Sequence, residues 1–440
     1  MREKLKKQII DSIKPVSIHG EWFTMSGKID RNAVQAALDE HKNVIIPDTG
    51  APIEFDNPVI MRSDYHLKVA KNQLIRQTED CSTCLIINES AASGAKAPIS
   101  VKRDENISIE GGIWQTKADS RARNNREYTI PGSLGNIILS SVERIRVADA
   151  VFTDSASYAV QIDDCSDYVI ENLHFDNYHK DGVHVNGPAD KGYIAHLSGR
   201  DMGDDMVALN AWDWDTSAIS FGSITNLVVE DVQSNNNEFR LLPGQKVFES
   251  GEKVDCNIEN CVIENVSGIY TFKMYAQPNI ANAVDKTRHD VSGTVGTIRN
   301  VYCRDISFAR VTPSGFSGLP VKSLFEICAD CDGIFIESVD VKNTIDECDK
   351  MDVRLVNVGP LSAVWKNGSD DPEKWGEVFD PDAVCEVSNL NLKNIRFGGE
   401  KISDAKRLVR EVHMTVNPDY PKTTPRGGTG HGTIKSVKAE

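Results

Sequence analysis

From about residue 106 onward one short phrase keeps returning in this chain: a polar residue, two to four alternating apolar residues, an acidic or Asn-containing turn, and a second short strand. It reads as ENISIEGGIW, ERIRVADAVFTD, SDYVIENLHFDN, KGYIAHLSGRDM, TNLVVEDVQSNN, CNIENCVIENVSG, RNVYCRDISFAR, CDGIFIESVDVKN and VSNLNLKNIRFGG. Arg144, Tyr168 and Tyr193 mark an interval of about 25 residues, and the later marks Asn226, Asn257, Asn300 and Gly333 lie further apart, as turns carrying insertions would place them. That period is the length of a coil. With β-branched strands, Asn- and Gly-rich turns, no long helices between them and no Leu-x-x-Leu signature, the pattern predicts an all-β chain wound as a right-handed parallel β-helix. An antiparallel propeller or sandwich would instead show two-residue hairpin turns at steady intervals.

The flanks of the repeat divide the chain into three stretches. Residues 1–27 form a helical and extended segment, residues 28–408 the β-helix with its cap, and residues 409–440 an irregular Pro/Gly/Thr-rich tail. Within the second stretch, KIDRNAVQAALDEH places Ala33, Ala36, Ala37 and Leu38 behind an Asp30 cap, which predicts a short amphipathic helix. Such a helix covers the open end that a terminal coil would otherwise expose.

Composition bounds the partners. The chain has 440 residues and a formal charge of −16, which argues against nucleic acid and anionic membrane, since both call for a basic surface. No apolar run approaches a membrane span, and MREKLKKQIIDSIKPVSI lacks the uninterrupted apolar core of a signal peptide, so a cytoplasmic location is the expectation. The ten cysteines are scattered, which favours reduced thiols in core positions; the CxxC pairs Cys81/Cys84 and Cys328/Cys331 lack the spacing of a zinc module. No metal or cofactor is expected, and a homo-oligomer stays open.

Chemistry concentrates between Asn177 and Trp214. Asp181 lies about one coil before the adjacent pair Asp204 and Asp205, and each precedes a short apolar strand, Val183/Val185 and Val207/Leu209. If those strands stack, three carboxylates converge, and paired carboxylates are what acid/base cleavage of a glycosidic bond requires. Taken singly, Asp-Asp and Asp-Gly are also ordinary turn residues that cap backbone N–H groups. Trp212 and Trp214 follow the pair at alternating positions, either as an outward stacking platform for a sugar ring or packed against a loop. Arg240 lies on the coil between the pair and Lys273, either as a substrate contact or in a structural ion pair. Asn186, Asn210, Tyr275 and Gln277 are candidates for binding hydroxyls. Asp201, Asp213 and Asp215 thicken the acidic cluster without the ligand spacing of a calcium loop.

The order N-x-x-x-D-G-V-H-V, then G-D-D-M-V-A-L-N, then G-I-Y-T-F-K-M-Y resembles glycoside hydrolase family 28, the polygalacturonase-like enzymes. There an N-T-D-G segment, a G-D-D segment, a G-H-G segment and an R-I-K segment follow on successive coils of a pectin lyase-like solenoid. The resemblance implies Asp204 as general acid, Asp181 with Asp205 as the pair that holds and activates water, and Lys273 as a contact to the substrate carboxylate. Two of the four motifs depart from it: Thr271 stands in the arginine place of R-I-K, and no histidine occurs between Asp215 and Val228, leaving His184 as the nearest candidate for a polar contact there. If water sits between acid and base, their carboxyl groups should stand roughly 6.5–9.5 Å apart and the anomeric configuration should invert. The expected activity is inverting hydrolysis of a pectin-like or other plant-derived oligosaccharide. A polysaccharide lyase on the same fold and a non-catalytic carbohydrate-binding β-helix are the alternatives.

Overall fold

The computed structural model describes residues 1–79, 84–93, 103–116, 135–155, 157–213, 219–247, 250, 252–275, 296–308, 311, 322–359, 364–365, 376–377, 384–413 and 431–440. Its strands pair in parallel with the next coil, giving the expected right-handed parallel β-helix. Alternation along each strand sends one residue inward and the next outward. On one sheet the inward column runs Val160, Val183, Val207, Phe239, Phe272, Phe325 and Val356, all fully buried. Its aromatic members stack, with ring centroids 4.7 Å apart for Phe239 and Phe272 and 5.1 Å for Phe272 and Phe325. Burial of each such side chain contributes about 1.5–3 kcal/mol, so this column is a main source of stability.

Corners between strands are made by single residues in the left-handed region. Asp167, Lys191, Asn226, Asn260, Asn300 and Asn389 all have positive φ, a conformation that Asn and Asp tolerate because their short side chains bond locally. They also bond along the stack: the Asn260 amide donates to Asn226 at 3.4 Å and the Asn300 amide to Asn260 at 2.6 Å. This ladder corrects the register read from sequence. Arg144 aligns with Asp167 and Lys191, because Ile145 pairs with Tyr168 and Tyr168 with Gly192; Asn226 aligns with Asn260, not Asn257. A slip of one residue exchanges inside for outside. Tyr168 is accordingly buried in the core, whereas Tyr193 lies on an outer face.

Helix α2 (Arg31–His41) covers the first coil with Val34, Ala37 and Leu38, and its Asp30 cap accepts from the Ala33 N–H at 3.0 Å. Helix α1 (Arg2–Ser12) instead lies along the side of the solenoid, where Ile9 packs with Val228, Val262 and Tyr302. At the far end the tail departs from its expected irregularity. Val409–Glu411 adds in parallel to Val353–Val358, and His431–Ile434 and Val437–Ala439 add to Val384–Phe397, while residues 414–430 lie outside the described residues. Pairing of these strands supplies the last coil with partners that its own edge lacks. The described cysteines, Cys328 and Cys331 included, are buried; Cys81 lies outside the described residues.

Candidate active site

Asp181, Asp204 and Asp205 stand at the entrances of neighbouring strands. Val183 pairs with Val207, and the Gly182 N–H donates to the Asp205 carbonyl at 2.9 Å, which fixes the two turns against each other. Gly182 has no room for a side chain: a Cβ there would come within 2.8 Å of the Met206 carbonyl and 2.9 Å of the Phe175 ring. The turns therefore stack closely enough that one oxygen from each of the three carboxylates lies within 4.8 Å of the others. This is a spacing of single oxygens, whereas the roughly 6.5–9.5 Å expected for a water placed between acid and base is a separation of whole carboxyl groups.

Each carboxylate faces its own cation. The His184 Nδ1–H donates to Asp181 at 2.6 Å, the Lys180 ammonium donates to Asp204 at 2.8 Å, and an Arg240 nitrogen lies 3.0 Å from Asp205 and 3.6 Å from Asp204. A hard cation would accept three oxygens at this spacing, but these protein cations already occupy the positive side of the cluster. Behind His184, Asp213 lies 3.4 Å from Nε2 and accepts from the Asn210 amide at 2.7 Å, and the Tyr158 ring stacks on the imidazole at 4.0 Å.

This packing sets the protonation of the site. Burial pushes Asp205 well above the ordinary carboxylate range; Arg240 opposes that, and Asp181, Asp204 and Glu238 add like-charge repulsion. Asp181 is raised by burial and by Asp204, against the pull of His184. Burial also acts to raise Asp204, but Arg240 and Lys180 outweigh it and hold the group below its usual value. Of the three, Asp205 therefore holds a proton most readily and Asp204 gives one up most readily. Burial works against the imidazolium of His184, yet its bonds to Asp181 and Asp213 prevail and raise it to about 10.

The expected binding residues are redistributed. Trp212 is 1% exposed and packed into the core, so it offers no sugar platform; Trp214 and Asp215 lie outside the described residues. Inward packing wins because the chain turns directly after Asn210, which ends the strict alternation. His184, Asn210 and Lys273 are each 1% exposed and serve the network behind the carboxylates, away from an approaching ligand. Tyr275 ends the strand Ile258–Tyr275, and its side chain lies outside the described residues, as does Gln277. Arg240 is brought to the carboxylates as the sequence order suggested.

Sequence reading missed Glu238. Its signal was positional: Glu238 pairs in register with Asp205 and with Thr271, and Arg240 pairs with Lys273. Glu238 lies 2.5 Å from the Lys273 ammonium and 3.3 Å from Arg240, and it accepts from the Tyr270 hydroxyl. Burial acts to raise it, but Lys273 and Arg240 lower it below its usual value. Lys180, immediately before Asp181, and Tyr158 were also missed. At the open side stand Asp204, with 24% of its side chain exposed, Lys180 with 23% and Arg240 with 19%.

Neither a protein-family model nor a curated protein matches the chain by sequence. In three dimensions it is similar to an endo-xylogalacturonan hydrolase from Aspergillus tubingensis, with a TM-score of 0.50, 11% sequence identity, and coverage of 96% of this chain and 100% of that one. It is also similar to a tailspike protein mutant of E. coli bacteriophage HK620 in complex with a pentasaccharide, with a TM-score of 0.53, 13% identity, and coverage of 86% of this chain and 65% of that one. At these identities the likeness is one of fold: this chain shares the right-handed parallel β-helix of proteins that cleave or bind oligosaccharides.

Proposed function

We propose that this protein is a glycoside hydrolase that cleaves an O-glycosidic bond in an oligosaccharide with three aspartates. The observation that supports this reading is the convergence of Asp181, Asp204 and Asp205 within 4.8 Å, with Asp204 at the open side and the other two behind it. Asp204 is the carboxyl that a glycosidic oxygen reaches. The three groups are close enough to titrate as a unit, so the proton held at rest by the buried carboxyls is shared with Asp204 when a leaving oxygen docks there. Asp204 then protonates the departing oxygen, water held by Asp181 and Asp205 attacks the anomeric carbon, and its proton passes to that pair. Held there by both carboxylates, the water attacks from the face opposite the leaving group, and inversion is the expected outcome.

The test is turnover of neutral and uronic oligosaccharide panels, with proton NMR of the first-released anomer. Wild-type protein is expected to release an inverted sugar, and Asp204→Asn to lower kcat by about 10²–10⁴-fold. Full activity in Asp204→Asn would remove this reading. An unsaturated uronate among the products would assign a lyase instead.

A further inference from the structure

The geometry points to an uncharged sugar, not a uronate, as the residue that the site takes beside Arg240, in front of the buried Lys273; this rests on the hydrolase reading above. The ammonium of Lys273 is a compact point charge, and the protein itself supplies its carboxylate: Glu238 lies 2.5 Å away, 7% exposed, with its other oxygen held by the Tyr270 hydroxyl. Glu326 takes the next position in register after Lys273 on the following coil. A uronate entering here would either displace Glu238, stranding a buried carboxylate, or settle beside it, placing two like charges together.

Part of the Arg240 fork is already taken. One of its terminal nitrogens lies 3.0 Å from Asp205, 3.3 Å from Glu238 and 3.6 Å from Asp204, so this arm of the fork is committed to three protein carboxylates. The protein groups around these two cations, Asp204 and Glu238 among them, are thus acceptors. Ionised carboxylates only accept hydrogen bonds, and the hydroxyls of a neutral sugar donate them. Thr271, in the place where a guanidinium would extend the positive surface, is buried and adds no charge.

The experiment uses pairs of oligosaccharides that differ only in the carboxylate: uronic oligomers and the same oligomers after chemical reduction of the carboxyl to a hydroxymethyl group. Turnover by the full chain and binding to its Asp204→Asn variant are measured for both members. The neutral member is expected to be preferred, and Glu238→Gln, which releases Lys273 from its internal anion, to shift the preference toward the acidic member by roughly tenfold or more. Wild-type protein that prefers the acidic member, with the preference lost in Lys273→Met, would overturn the inference while leaving the hydrolase reading intact. Failure to turn over either member of any pair would count against the hydrolase reading itself, and the inference would fall with it.

Discussion

On the strands that carry the carboxylates, outward positions hold Gln161, His184, Ala208, Arg240, Lys273 and Glu326, whereas on another face of the same coils they hold Tyr193, Val228, Val262, Tyr302 and Phe335. The inward residues of both faces are alike, Val183, Val207 and Phe239 on one and Leu227, Cys261 and Val301 on the other, all buried. Inward positions therefore specify the coil and say nothing of which face they line. Outward positions each require a partner, and the two faces find it differently. The apolar face is covered by α1, where Leu5 and Ile9 pack on it and Lys6 bonds Glu230 and Glu264 at its rim. The polar face is matched charge by charge from within, as His184, Lys180, Arg240 and Lys273 each meet a carboxylate.

Breaking one charge pair on the polar face should produce the largest loss of stability. Lys273→Met leaves Glu238 buried beside an apolar side chain and is expected to cost about 3–5 kcal/mol in denaturant unfolding. Replacing both members, as Lys273→Met with Glu238→Gln, is expected to recover most of that loss, because the cost lies in the stranded charge and not in the absence of the pair. A double variant no more stable than the single one would show that Lys273 acts through packing alone.

The same logic gives a smaller effect on the apolar face. Ile9→Ala is expected to cost about 2 kcal/mol, near the low end for an aliphatic truncation, because α1 can settle toward Val228 and Val262. Turnover measured well below the unfolding temperature should not change, since α1 lies on a different face from Asp204. Reduced kcat in Ile9→Ala at full folding would show that the two faces are coupled through the shared core.

Most of the solenoid was legible in the sequence because inward positions repeat: β-branched alternation and an Asn or Asp at each corner recur whatever the outward residue does. The three aspartates were legible for the same reason, being fixed one coil apart. What was not legible is register to the residue. Tyr168 and Tyr193 look equivalent in their phrases, and only the corner ladder of Asp167 and Lys191 separates them. Burial of outward residues was equally hidden. His184, Asn210 and Lys273 alternate as surface residues would, yet each is enclosed with a carboxylate partner, Asp213 for the first two and Glu238 for the third. Glu238 was missed since its neighbour Asp205 lies across an irregular pairing, where counting along the chain fails.

Titration separates the two faces most finely. His184 is raised from an ordinary 6.5 to about 10, burial opposing the charge and the bonds to Asp181 and Asp213 prevailing. A folded-state value above the unfolded one stabilises fully below pH about 6.5 and loses that contribution as pH rises through about 10. The neighbouring carboxyls act in the same direction. Asp163, pushed up to about 7 mainly by burial, and Asp181 and Asp205, also raised, stabilise in their protonated forms at low pH and lose that contribution as pH climbs through their folded values. Thermal unfolding between pH 6 and 10 is therefore expected to show Tm falling with pH in the wild type and falling less steeply at the alkaline end in His184→Gln. The Ile9→Ala curve should run parallel to wild type, because no titrating group is altered on its face. Nitrogen NMR of the imidazole supplies the direct reading: His184 should still carry both protons at pH 8, and Asp213→Asn should move its titration to lower pH. A His184 signal that is neutral at pH 8 in the wild type would mean that Asp181 is held by an ordinary neutral histidine, and the pairing of each carboxylate with its own cation would not extend to this one.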